Sequence, residues 1–236
     1  MPCMPARREL HTGRLNFLHR SWGPIEPFDD SMPEILRKNG VYTHLVSDHL
    51  HYWEDGGCTY HHRYSTWENI RGKQGDLWIG QVAPEPPASN ARGGNAHDFL
   101  WYRQDRVNRK YMVEEKDFPQ PRTMKAGLEF IERNKDEDSW FLQIETFDPH
   151  EPYHVPENYM KLYSEIDYDK YNIDWPGYEP VNEESRQWIP HLRHLNAALT
   201  SMCDHYLGKV LDTFDRLNLW EDTMLIVNTD HGFLLC

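Results

Sequence analysis

The sequence lacks any apolar run approaching the roughly 20 residues of a membrane span, and it shows no signal peptide. It has no basic excess. Its 25 Lys and Arg stand against 38 Asp and Glu, a net charge of −13. That balance argues against general binding to nucleic acid or to an anionic membrane surface, both of which call for a basic face. It leaves an anionic small molecule open, because a local pocket of Arg, His or metal can overcome the global field. Cysteine is sparse. Cys3, Cys58, Cys203 and Cys236 form no Cys-x-x-Cys pair and no zinc-finger spacing. Neither a disulfide framework nor a structural zinc site is implied, and the compartment stays open. There is no internal repeat and no interior domain linker.

The chain does have 236 residues rich in aromatics, with nine Trp and thirteen Tyr. That length suits one large domain, or part of a bigger one, with polar, aromatic-rich loops. Pro5 is a good first helical residue, since its missing N–H would have no helical partner there. Ser31 and Glu34 open a second helix as a capping pair, and Asn39-Gly40 stops it. Residues 41–46 read as a strand, and 47–98 as one long loop. Residues 97–115 read as helical, Pro119 and Pro121 as breakers, and 122–133 as a helix with Met124, Leu128 and Ile131 on one face. Residues 140–147 and 223–229 read as buried strands. Between them, 188–217 is the longest helix, with Leu192, Leu195, Leu199, Met202, Tyr206, Val210, Phe214 and Leu217 at three- and four-residue steps. Alternating helices and apolar strands predict an α/β fold with a largely parallel central sheet and helices on both faces. Active sites in such sheets gather at the carboxyl ends of strands.

Five groups of residues bear on chemistry. Cys3 is expected just ahead of the helix that Pro5 opens, where backbone N–H groups and the helix dipole lower a thiol pKa and attract anions. Arg7 lies one turn on and can point back to the same spot. The alternative is an incidental cysteine. The spacing is wrong for a Cys-x5-Arg phosphatase loop. At the end of the strand 41–46, Ser47-Asp48-His49-Leu50-His51 puts His49 and His51 on one face if the backbone is extended. They suit substrate or metal contact, or are ordinary loop histidines. Arg63, Tyr64, Trp67 and Arg71 are pocket candidates or a solvated aromatic loop. His150-Glu151-Pro152-Tyr153-His154 matches the HExxH zinc pattern as text. Proline in a helix interior costs about 3 kcal/mol, so a rigid loop presenting His150 as an acid or hydrogen-bond donor is the better reading. Asp230-His231 ends the last strand and either ligates an ion or caps the next helix. Two residues do not make a Ca²⁺ or Mg²⁺ site, which takes at least about six ligands.

Together these clusters resemble the type I sulfatases of the alkaline-phosphatase superfamily. Cys3-Met4-Pro5-Ala6-Arg7 fits the family's Cys-x-Pro-x-Arg signature, and Leu10-His11-Thr12-Gly13-Arg14 its Leu-x-Thr-Gly-Arg continuation. Phe147-Asp148-Pro149-His150-Glu151-Pro152-Tyr153 looks like its second active-site segment. Val227-Asn228-Thr229-Asp230-His231-Gly232 looks like its later metal-binding strand end. The resemblance implies that Cys3 is oxidised to formylglycine by a formylglycine-generating enzyme, and that its hydrate is the nucleophile. Arg7 would hold that residue and neutralise developing charge. His150 would assist the leaving oxygen or bind a sulfate oxygen. Asp230 and His231 would bind a divalent cation, most often Ca²⁺, with Mg²⁺ or Mn²⁺ as alternatives.

The implied function is hydrolysis of a sulfate monoester, of a sulfated carbohydrate or another small molecule. The same machinery serves phosphonate and phosphate monoesters, and an inactive remnant is the non-enzymatic alternative. The resemblance expects an earlier strand with an Asp pair, where only Met1 and Pro2 precede Cys3, and further pocket residues after His231. The chain therefore reads as a catalytic-domain fragment over 1–236, incomplete at both ends. It also expects Gly-Lys-x-His after the second strand. Ser47 to His51 has no lysine, so His49, His51 and Arg63 are the substrate-binding candidates.

Overall fold

The computed structural model describes residues 3–16, 22–54, 57, 59–85, 98–163, 170–171, 173–178 and 180–233. The chain divides into two compact units.

The first unit comprises Met1–Ile70, Thr123–Glu145 and Thr213–Phe233. Its sheet has three strands, β1 (Tyr42–Ser47), β2 (Thr66–Asn69) and β3 (Trp140–Glu145). They are all parallel, in the order β2-β1-β3. Adjacent residues of a strand face opposite ways, and β1 shows which helix lies on each face. Leu45 packs with Met4 of α1 (Cys3–Thr12), Ile25, Tyr52, Tyr60 and Tyr64. His44 stacks on Phe130 of α4 (Pro119–Arg133), centroids 4.8 Å apart. Helices thus cover both faces, and the α/β expectation holds. Gly127 explains how closely α4 approaches. A Cβ there would lie 2.4 Å from Cδ1 of Ile144 on β3.

Local chemistry explains the boundaries. α1 begins at Cys3, so the cysteine stands in the first turn and not ahead of it. Gly13, at φ +65°, ends the helix and returns its N–H to the Glu9 carbonyl at 2.8 Å, the usual glycine stop. α2 (Met32–Lys38) starts after Ser31, but Ser31 makes no cap. Its hydroxyl meets Nδ1 of His11 at 3.0 Å instead, and Glu34 pairs with Lys38 at 3.0 Å.

Two strand expectations need correction. β3 is half-buried along its whole length, because it is an edge strand among the described residues. Residues 223–229 join no sheet. Met224, Ile226 and Val227 are 83%, 72% and 63% exposed. An apolar run becomes a strand only where a neighbour completes its ladder, and none of the described strands pairs with this one. β2 lies inside the segment read as loop. It is four residues long and its first three are exposed, so it leaves no apolar alternation to find.

The second unit comprises Arg71–Arg122, Thr146–Asp212 and Leu234–Cys236. It contains α3 (Asp98–Arg109), α5 (Glu157–Met160) and most of α6 (Ser185–Leu217). The α6 stripe is buried from Leu192 to Phe214 as its period predicts. α6 begins a turn earlier than expected. Asn182 Oδ1 accepts the Ser185 N–H, and Ser185 Oγ accepts the Asn182 N–H, both at 2.8 Å, a reciprocal cap. Pro119 and Pro121 occupy the first turn of α4 and do not break it, since no N–H is required there. Glu115 gathers Tyr159 Oη at 3.0 Å, Tyr206 Oη at 2.9 Å and Asn158 Nδ2 at 3.2 Å, tying α5 and α6 to the chain after α3. No described helix is long and apolar enough to cross a membrane. Cys3 and Cys203 form no disulfide; Cys58 and Cys236 lie outside the described residues.

Candidate active site

In the first unit, α1 brings its first turn against the segment that ends in Asp230 and His231. Cys3 is 6% exposed, and its Sγ lies 3.2 Å from Nε2 of His231. The other ring nitrogen, Nδ1, is 3.2 Å from the Gly232 carbonyl. A carbonyl only accepts, so Nδ1 carries the proton of the neutral ring and Nε2 offers its lone pair toward Cys3.

Arg7 turns back along α1 as its spacing predicts. Its Nη1 donates to the Cys3 carbonyl at 3.2 Å and to Oδ2 of Asp230 at 2.7 Å. Nε and Nη2 donate to Oε1 of Glu145 at 2.8 and 2.7 Å. Burial alone would lower the guanidinium pKa. Glu145 first, then Tyr52 and Asp230, outweigh it, and the pKa is raised. Burial would likewise raise the Asp230 carboxyl, but Arg7 dominates and holds it below the usual range. Asp230 Oδ1 accepts the His231 backbone N–H at 2.9 Å. The aspartate is therefore ionised, oriented and a quarter exposed at its side chain.

Glu145, at the last position of β3, is a hub that sequence reasoning passed over. Besides Arg7 it accepts Tyr52 Oη at 2.8 Å and Gln143 Nε2 at 2.9 Å on Oε2, and Ser47 Oγ at 3.3 Å on Oε1. Burial, then Glu145, raises the Tyr52 pKa well above the ordinary tyrosine value, so Tyr52 stays a donor.

His49 and His51 are both buried. The backbone at 50–52 is a tight 3-10 turn, not extended. The expected reason for their proximity is thus wrong, yet the rings lie 5.0 Å apart. Nδ1 of His51 pairs with Glu54. Arg63 is not brought to this group. It pairs with Glu34 of α2 and donates to the Glu26 carbonyl at 2.9 Å. Tyr64 donates to Gln143 at 2.7 Å, Trp67 stacks on His62, and Arg71 grips Asp76 through two bonds of 2.7 and 2.6 Å.

His150 lies in the second unit. Residues 148–156 contain no helix, so the HExxH text is not a zinc helix. The Asp148–Pro149 and Glu151–Pro152 peptide bonds are cis. The His150 N–H bonds the Phe147 carbonyl at 3.0 Å, and Nδ1 donates to the Glu151 carbonyl at 2.7 Å, leaving Nε2 as the atom that exchanges a proton. Lys73 clamps this loop. It pairs with Asp148 and reaches the Pro152 carbonyl at 3.4 Å. Burial raises the Asp148 pKa and Lys73 opposes that shift. Lys73 is a residue that sequence reasoning does not single out. Its signal is Gly72-Lys73, but that pair follows β2, the strand that the sequence conceals.

The family model described as Sulfatase matches residues 1–235. The chain belongs to the sulfatase family. It is similar to the choline-sulfatase of Rhizobium meliloti (strain 1021), 23% identical over 99% of this chain and 48% of that protein. It is also similar to a crystal structure of Ps i-CgsB in complex with k-i-k-neocarrahexaose, with TM-score 0.51 and 13% identity, over 92% of this chain and 45% of that one. At that identity the likeness shows the fold. The chain spans about half the length of the relatives it matches.

A sulfatase metal was expected on Asp230 and His231. They offer one carboxylate and one imidazole, and both carboxylate oxygens already accept hydrogen bonds. Ca²⁺ takes about 6–8 oxygen ligands. This pair is too small a donor set for it, so no step is assigned to a metal.

Proposed function

We propose that this chain carries the nucleophile end of a sulfuric ester hydrolase centred on Cys3. One observation carries the reading: a buried Cys3 whose Sγ faces the lone pair of His231 Nε2 at 3.2 Å, with Arg7 joining its carbonyl to Asp230. In the working enzyme Cys3 is oxidised to formylglycine by a formylglycine-generating enzyme, which supplies a hydrated aldehyde as nucleophile. The surroundings fit such a group, because the side-chain position already faces a proton acceptor. His231 Nε2 holds the proton of the attacking group. Arg7 fixes the backbone at residue 3 and keeps Asp230 ionised. His150, in its imidazolium form with Nδ1–H kept on the Glu151 carbonyl, donates its Nε2 proton to the leaving alcohol oxygen and is left as the neutral Nδ1–H tautomer.

The substrate class is a sulfated carbohydrate or a small sulfate ester. The relative named for choline and the neighbour solved with an oligosaccharide support these two chemistries. Assay of the full-length protein on aryl sulfate and on phosphonate monoesters tests the reading. Faster turnover of the sulfate is expected. A large preference for the phosphorus ester overturns the substrate assignment, and no turnover of either overturns the enzyme.

A further inference from the structure

Among the described residues of the first unit, Glu145 is the one carboxylate that touches Arg7 without belonging to any of the matched motifs. We propose that Glu145 is the positioning residue of the reaction. It sets the plane of the Arg7 guanidinium and so fixes the Cys3 carbonyl and Asp230 together. The inference rests on the hydrolase reading above.

Hydrogen-bond geometry carries it. A guanidinium is a flat fork with five donors and can pair with a carboxylate through two parallel bonds. Arg7 lies between two carboxylates, Glu145 and Asp230. Left to Asp230 alone, it would rotate to offer that carboxylate both prongs. Glu145 prevents this by taking Nε and Nη2 on Oε1. Nη1 is thereby turned to the opposite side, where it is divided between Oδ2 of Asp230 at 2.7 Å and the Cys3 carbonyl at 3.2 Å. Asp230 keeps Oδ1 on the His231 N–H, and His231 keeps its lone pair on Cys3.

Glu145 is itself fixed. Tyr52 and Gln143 hold Oε2, Ser47 approaches Oε1, and Tyr64 holds Gln143 at 2.7 Å. β3 pairs Glu145 with Ser47 of β1, which places the carboxylate at the sheet's carboxyl end. The chain of control runs from the sheet through Glu145 to Arg7, and from Arg7 to the residues that meet the substrate. Glu145 touches neither Cys3 nor His231 in this chain of contacts. It acts through Arg7.

The test uses E145Q, which keeps the shape and removes the charge, with R7A and the double variant in the full-length protein. Turnover of aryl sulfate by E145Q should fall about 30-fold in kcat with KM within about threefold, since positioning is lost and substrate contacts remain. In the R7A background E145Q should cost less than about twofold more, because both changes break one unit. Additive losses, or a rise in KM alone, overturn the inference. A second readout needs no turnover. The Nε–H resonance of Arg7 in a ¹⁵N spectrum should exchange slowly in the parent and rapidly in E145Q. Equal protection in both overturns the inference whatever the activity. A parent that hydrolyses neither sulfate nor phosphonate, with Nε–H protection still lost in E145Q, overturns the hydrolase reading and retains the Arg7 positioning.

Discussion

Two buried cation–carboxylate pairs invite comparison, Arg7 with Glu145 in the first unit and Lys73 with Asp148 in the second. Each carboxylate lies at or just after the end of β3, and each pair adjoins a chemistry-bearing residue, Cys3 in one case and His150 in the other. They differ in direction. Arg7 is planar and serves three acceptors on three sides: Glu145, Asp230 and the Cys3 carbonyl. Lys73 is a point charge that serves Asp148 and the Pro152 carbonyl. An arginine of this kind transmits orientation, whereas a buried lysine draws a loop inward and tolerates small changes of angle. Burial as such therefore does not separate the two sites; the number of fixed directions does.

The contrast between the pairs is tested most severely at Arg7. R7A should reduce kcat by two or more orders of magnitude, about the range seen for removal of one transition-state donor. It should also cost about 3 kcal/mol in urea unfolding, because two carboxylates lose their cation. R7K should restore little activity, since an ammonium cannot hold Glu145 and Asp230 in one plane. Recovery in R7K to within a few-fold of the parent would show that Arg7 acts only as a charge.

At the second pair, K73M should destabilise by about 3 kcal/mol by leaving Asp148 buried without its cation. K73M/D148L should regain most of that loss, as apolar replacement of a buried pair often does. Chemical denaturation of the three proteins checks this. A double variant as unstable as the single would mean that Asp148 depends on other partners.

His11 sharpens the Arg7 side. Burial first, then the charges of Arg7 and Arg63, lower its pKa to about 3. It is thus neutral when folded and protonates near its ordinary value of about 6.5 when unfolded. A lowered folded pKa means that the stability from neutral His11 is complete above about pH 6.5 and is lost as pH falls toward 3. Between pH 7 and pH 4 the parent should lose about 2 kcal/mol more than H11Q, measured from urea midpoints. Equal losses would mean that His11 titrates normally.

The smallest effect belongs to the packing beneath β3. G127A should destabilise by about 1–2 kcal/mol, because its methyl must displace Ile144. Paired with I144V, it should be milder. An unchanged melting temperature in G127A would mean that α4 shifts at no cost.

The same pairs show how much of the molecule is legible in the sequence. Cys3 and Arg7 are one helical turn apart, so their meeting is readable from spacing alone. The α6 stripe is readable because its 3.6 period matches its buried face. Asp230 and His231 are readable as neighbours, but the run 223–229 before them has strand chemistry and no described strand beside it. Glu145 is not readable. It meets Arg7 across 138 positions of sequence, and only the pairing of β1 with β3 brings it there. Lys73 is hidden because β2 is short and its first three residues are exposed, so the Gly-Lys pair after it reads as mid-loop. Ser31 has the sequence of a cap, but the buried His11 takes its hydroxyl. In each miss a contact distant in sequence outweighs a local preference.

Cys3 as the precursor of the nucleophile is the central claim. The most direct test is the mass of the peptide carrying residue 3, taken from the native enzyme. The prediction is a peptide about 18 Da lighter than the encoded thiol, the change from a thiol to an aldehyde. An unmodified cysteine in a protein that turns over sulfate esters would contradict it.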